Sequence, residues 1–264
     1  MKIAVCIKQV PGTTQVEIDQ DTGTLKRDGV PAKMNPFDLY AIETAMRIKE
    51  ATNAELTAFT MGPPQAEAVL REAFMMGADH AVLISDRRFG GADVLATGYT
   101  ISQGLRAAGD FDLIVCGRQT TDGDTAQVGA ELAEFLGIPH VTNVCAICEI
   151  ATDAIVADID WPLQTARCRL PFPCLITVDK NIFEPRLPSF KLKMSTADRP
   201  IIRIGLDDLP DRDEKHYGLS GSPTRVKRIF PPDAKNGHEV WSAADNPAEK
   251  LHTLLADRKF LQQL

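Results

Sequence analysis

The feature that most narrows the fold is an alternation of two hydrophobic periods over the first two-thirds of the chain. Short apolar runs at residues 2–7, 55–60, 80–84, 113–116, 141–150 and 174–178 read as strands. Between them, residues 36–51, 64–76, 93–108 and 125–137 carry apolar side chains at helical spacing. In 36–51 the stripe is Leu39, Ile42, Ala45 and Met46, and Asn35-Pro36 predicts an N-cap with proline at the first helical position. Such alternation predicts an α/β fold, a mainly parallel sheet with helices on both faces. Ligands of open sheets sit beyond the carboxyl ends of the strands, where the strand order reverses.

The character changes after Val178. Residues 181–190 carry two prolines and predict an exposed loop, with Lys191 and Lys193 following. Residues 205–250 are rich in Pro, Gly, Asp and Lys, with little periodicity, and 247–261 predict an amphipathic helix with Leu251, Leu254, Leu255 and Phe260. This divides the 264 residues into an α/β nucleotide-binding domain, 1–204, and an extended C-terminal arm, 205–264. The arm cannot bury its apolar face alone, so that face is expected on another part of the fold or on a second protein.

A net charge of -7 without a basic face argues against nucleic acid as the main partner. No apolar run approaches the ~18–20 residues of a membrane span. The opening run is broken by Lys8 too early for a signal-peptide core. The expected location is therefore the cytoplasm or an equivalent reducing compartment. Six cysteines fit it: Cys6 and Cys116 lie in apolar strand runs, where a reduced cysteine is a small core residue. Cys145 and Cys148 form a C-x-x-C, but no second pair or histidine pair stands at zinc spacing, and in a strand i and i+3 face opposite sides. Structural cysteines are the favoured reading.

The segment from Gly117 to Gly129 joins a strand to a helix through a Gly- and Thr-rich turn, the arrangement by which α/β proteins hold phosphates on helix N-terminal amides. It matches neither G-x-G-x-x-G nor the P-loop. Thr125 and Gln127 offer donors to a phosphate, whereas Asp122 and Asp124 would repel one and suit a cap or a ribose hydroxyl. The plain alternative is an ordinary N-cap at Asp124 or Thr125. Turns at residues 8–12 and 61–64 follow strands on the same predicted edge, and Asp93 is a further cap candidate. The five histidines are scattered and no nucleophile–base pair or metal spacing is present. A nucleotide-shaped site without catalytic groups points to cofactor carriage.

Together with Val5-Cys-Ile-Lys-Gln-Val-Pro11, Met34-Asn-Pro-Phe37, Met61-Gly-Pro63, Met76-Gly-Ala-Asp79 and Glu184-Pro-Arg186, the Gly117–Gly129 segment resembles the β subunit of electron transfer flavoprotein over essentially the whole chain. The resemblance implies an adenine-nucleotide-hydrolase-like fold and a heterodimer with an α subunit carrying the electron-transferring FAD. One branch of the family holds AMP; the electron-bifurcating branch holds a second FAD that oxidises NADH. Asp122-Gly-Asp-Thr-Ala-Gln127, Phe89-Gly-Gly-Ala-Asp93 and Gly221-Ser-Pro-Thr224 are similar to the FAD-holding branch, with small Gly123 and Ala126 leaving room for a diphosphate.

By resemblance, Cys6, Asn35 and Met61 contact adenosine. Asp122, Thr125, Gln127 and Val128 contact phosphate or ribose, with Gly123, Asp124 and Ala126 in the same turn. Asp93, Thr97 and Thr224 lie toward the rest of the flavin nucleotide. The loop with Glu184, Arg186, Leu187, Phe190 and Met194 resembles one that docks on acyl-CoA dehydrogenase-type flavoenzymes, with Phe190 as anchor; the alternative is that Phe190 packs back on its own domain. The chain departs from the pattern at Thr120-Thr121, at Ala130 in place of proline, and at Gln164 in place of a glutamate. A reading from another class, an ATP-using α/β enzyme, lacks both the S-G-G-x-D-S-type loop and the P-loop it needs.

Overall fold

The alternating periods fold as a wide, mainly parallel sheet in the computed structural model, which describes residues 1–12, 32–225 and 239–263. In chain order the strands are β1 (Lys2–Cys6), β2 (Gln9–Pro11), β3 (Ala32–Met34), β4 (Glu55–Met61), β5 (His80–Ile84), β6 (Leu113–Gly117), β7 (His140–Ile150), β8 (Ala154–Trp161), β9 (Gln164–Pro171), β10 (Cys174–Val178) and β11 (Ile202–Ile204). Nine of them form one sheet in the order β11-β5-β4-β1-β6-β10-β7-β8-β9. From β11 to β7 the pairing is parallel, and β7, β8 and β9 continue it as an antiparallel meander. β2 and β3 form a separate antiparallel ribbon.

The helices are α1 (Pro36–Thr52), α2 (Glu67–Met76), α3 (Val94–Ala108), α4 (Val128–Leu136), α5 (Phe190–Ser195), α6 (Gly218–Gly221) and α7 (Pro247–Asp257). They cover both faces. Ile42, Met46, Leu70 and Phe74 of α1 and α2 join Ile3, Val5, Leu56 and Leu83 in one core. Ile101, Leu105 and Leu132 of α3 and α4 join Ala4, Phe59, Ile84 and Ile114 in the other. Opposite faces of the same strands feed both cores, which is why these runs are apolar without alternation. Each fully buried Leu, Ile or Phe contributes roughly 1.5–3 kcal/mol of transfer free energy.

The β8–β9 hairpin is absent from the strands that the apolar runs predict. Charges placed on its exposed face interrupt the hydrophobic signal: Arg167 pairs with Asp158 at 2.7 Å and Arg169 with Asp153 at 2.8 Å. Gln164, the family departure, sits exposed at the hairpin's tip opposite Trp161. The loop read at 181–190 gives way at once to α5, whose start is capped by Ser189 accepting from the Leu192 N–H at 3.4 Å.

The compact unit runs from Met1 to Lys227, past residue 204 where composition changes, because Leu206, Leu209 and Tyr217 are buried in the second core. Residues Arg228 to Leu264 form a second unit. Within it the amphipathic helix ends earlier than 261: α7 stops at Asp257 and a 3-10 turn covers Phe260–Gln263. Leu251, Leu254 and Phe260 are exposed. Among the described residues no helix is long and apolar enough to cross a membrane.

Candidate functional site

The chain passes from β1 through α1 to β4 on one side, while β6 lies on the other side of β1. The carboxyl ends of β1 and β6, Cys6 and Cys116–Gly117, therefore flank the point where strand order reverses. Both strands empty into the rim that carries most of the sequence-selected residues.

Asn35 fastens this rim. It occupies the N-cap position of α1, as the sequence implied, but its side chain makes no cap bond. Wholly buried, it donates through Nδ2 to Asp38 Oδ1 at 2.9 Å and to the Gln119 carbonyl at 2.8 Å, and accepts at Oδ1 from the Thr121 N–H at 3.2 Å. The amide prefers these partners because they leave no buried polar atom of its own unpaired. Asp38, absent from the sequence reading, also accepts from the Lys8 N–H at 2.7 Å. Burial pushes its carboxyl up to about 7, against the opposing pull of Asn35 and Lys8.

Lys8, which the sequence places in the 8–12 turn without an individual role, makes the second link. Its ammonium bonds both oxygens of Asp122 at 2.8 Å, spanning the rim from the end of β1 to the turn after β6. Burial raises the Asp122 carboxyl, but Lys8 outweighs that and holds it below its ordinary value. Asp122 thus neutralises a lysine rather than confronting a phosphate bare. The signal available was a lysine two residues beyond a strand at the reversal point.

The turn itself is not an ordinary N-cap. α4 begins at Val128, later than the expected residue 125, behind an N-cap Gln127 that makes no side-chain cap bond. Asp124 and Ala126 have φ of 52° and 55°, the left-handed region. For non-glycine residues this costs about 1–2 kcal/mol each, and such strain collects at ligand clamps. Asp124 accepts from Gln119 Nε2 at 2.5 Å instead of capping. Among the described residues, the N–H groups from Thr125 to Ala130 have no acceptor. Acceptor-free amides at a helix start, beside left-handed backbone, suit an anion.

A second cluster lies at the start of α3. Asp93 caps it, accepting from the Ala96 N–H at 3.1 Å, and also takes the Thr224 N–H at 3.0 Å and hydroxyl at 2.7 Å. Ser222 Oγ accepts from the Asp93 N–H at 2.8 Å. Burial raises the Asp93 carboxyl, and these donors together hold it below the usual range. Thr97 is half-buried one turn on. α3 and α4 pack together, with Gly98 admitting the Glu131 side chain. Glu131 Oε2 is buried with no partner among the described residues, and burial followed by the nearby Asp93 charge raises its carboxyl.

The structure thus joins Asn35, Asp122 and Asp124 by hydrogen bonds through Lys8, Asp38 and Gln119, and Asp93 with Thr224 in a neighbouring cluster. Cys6, Met61 and Val128 are half-buried against the same core below the rim. Gly123, Thr125, Ala126 and Gln127 are exposed. No hydrogen bond between described residues joins the two clusters. The residues present fit a nucleotide: the acceptor-free amides suit phosphate, and the unpartnered Glu131 oxygen has hydrogen-bonding capacity left for a hydroxyl.

The 184–194 segment is elsewhere. Leu187, Phe190 and Met194 are 88%, 75% and 65% exposed, so Phe190 does not pack back on its own domain. Glu184 is also exposed. Arg186 is held internally: it bonds buried Glu43 at 2.7 Å and Glu50 at 2.6 Å. Cys145 and Cys148 are free thiols, and register shifts fall beside both. Simple face alternation therefore does not apply to them; the Cys145 thiol donates to the Asp158 carbonyl at 3.4 Å.

A family model for the electron transfer flavoprotein domain matches residues 22–209. The chain is 44% identical to the electron transfer flavoprotein subunit beta of Clostridium acetobutylicum over 91% of its length and 92% of that protein. It is 40% identical to the corresponding subunit of Megasphaera elsdenii over the full length of both. The caffeyl-CoA reductase-Etf complex subunit CarD of Acetobacterium woodii is 44% identical over 91% of each chain. With this domain, sheet order and rim, the chain belongs to the electron transfer flavoprotein family, as a β-type subunit.

Proposed function

We propose that the rim at the β1–β6 reversal holds a second FAD, and that the chain works with an α subunit to oxidise NADH by electron bifurcation. The observation that carries this reading is the run of acceptor-free amides from Thr125 to Ala130, beside Lys8. That donor set is longer than one phosphate needs and suits a pyrophosphate. Lys8 supplies the cation, and Asp122 holds it in place until the ligand's own charge competes for it. Thr224 and Asp93 lie toward the remainder of the nucleotide, and Glu131 takes a hydroxyl proton donor. When bound, FAD supplies the electron-carrying ring; the protein contributes binding, orientation and local charge.

The exposed Leu187, Phe190 and Met194 form the face offered to an acyl-CoA dehydrogenase-type flavoenzyme, a reading supported by a relative named for a caffeyl-CoA reductase complex. The exposed apolar residues of α7 are the face offered to the α subunit.

The test is stoichiometry. The chain is co-expressed with its α subunit, and the purified heterodimer is denatured and its nucleotides quantified. Two FAD per heterodimer supports the proposal. One FAD with one AMP moves the chain to the AMP-holding branch, and an absence of flavin with ATP turnover overturns the reading altogether.

A further inference from the structure

The reversal point contains a thiol pair. Cys6 ends β1 and Cys116 is its direct register partner on β6. Neighbouring strands lie about 4.8 Å apart, and a disulfide spans Cα separations of roughly 4.4–6.8 Å. Both side chains emerge on the same sheet face, where they join one core with Val128 of α4. The neighbouring Cys6 thiol, ahead of burial, pushes the Cys116 thiol well above its ordinary value, in keeping with their direct pairing in the sheet. Cys116 is 6% exposed, while Cys6 is half-buried at the rim.

We propose that Cys6 and Cys116 form a dithiol–disulfide couple, oxidised by hydrogen peroxide, that closes the β1–β6 seam beneath the phosphate turn. The more accessible sulfur reacts first. Cys6 attacks one peroxide oxygen, the O–O bond breaks, and sulfenic acid and water form. Cys116 then attacks the Cys6 sulfur, the S–O bond breaks, and the thiol proton leaves with hydroxide as a second water. Two thiols lose two electrons in total and peroxide gains them. The couple does not depend on which nucleotide the rim holds.

The test uses the full chain, reduced and then titrated with hydrogen peroxide. Remaining thiols are blocked with N-ethylmaleimide under denaturing conditions and non-reduced peptides are mapped by mass. The expected result is a Cys6–Cys116 linked peptide, with two of the six cysteines escaping alkylation and both recovered by dithiothreitol. In a Cys116→Ala variant, Cys6 should stop at the sulfenic acid and be trapped by dimedone. Cys6 linked to any other cysteine, or Cys6 carried to sulfinic acid while Cys116 remains alkylated, overturns the proposal.

Discussion

Substituting Gly117→Ala tests how the rim is built. An added Cβ would meet the Phe37 carbonyl carbon at 2.8 Å and its oxygen at 2.9 Å, and would press on Asp38 Oδ1. Two of these three atoms are backbone at the start of α1, so no rotamer change relieves them. Overpacking of this kind costs about 1–3 kcal/mol. For a unit of this size, each kcal/mol lowers Tm by roughly 2–4 °C. The displaced Asp38 also loosens its bonds from Lys8 and Asn35, and with them the hold on Gln119 and Thr121. Thermal unfolding of the purified chain should therefore show a Tm several degrees lower, and nucleotide affinity should fall as well. Gly123→Ala is the control for stability, since its Cβ meets only Thr120 Oγ1 at 3.3 Å. If Gly117→Ala melts within a degree of the wild type, the close approach of β6 to α1 is wrong.

Three further outcomes follow from the same geometry. Phe190→Ala should slow electron delivery to the partner flavoenzyme tenfold or more, as for a hot-spot side chain costing about 2 kcal/mol; equal loss of bound flavin would refute a docking role. Arg186→Ala leaves buried Glu43 with Arg47 alone and should cost about 2–3 kcal/mol, less than a fully buried pair. Burial raises the Glu43 carboxyl, yet Arg186 and Arg47 hold it below its ordinary 4.5. That stability exists above the unfolded pKa and disappears as pH falls through the folded one, so denaturant titrations should show the variant's deficit shrinking in acid. Asp38 has the opposite sign. Its folded pKa is raised to about 7, so its contribution is complete below about 4 and lost as pH rises through 7. The span corresponds to about 4 kcal/mol. Unfolding free energies measured at pH 5 and 8 should differ less in Asp38→Asn than in the wild type.

The parallel sheet was legible because its strands are buried on both faces and its helices carry uninterrupted stripes. The β8–β9 hairpin was not, because Arg167 and Arg169 alternate with smaller residues and find their carboxylates only once the strands pair. At the site, composition located the turn but not its shape. Nothing in the letters Asp124 and Ala126 announces left-handed backbone; that is imposed by what surrounds them. The roles of Lys8 and Asp38 were not legible for a related reason. Their partners, Asp122 and Asn35, are chosen by the approach of β1 and α1 to the end of β6, a tertiary event.

One amide side chain carries an implication for the order of assembly. Asn35 binds Gln119 and Thr121, more than eighty positions away in sequence, so the clasp cannot close until two distant halves of the chain have docked. Contacts of such separation form after local structure and after their loop-closure entropy has been met. The proposed coenzyme seat is therefore a product of tertiary docking and not of either segment alone.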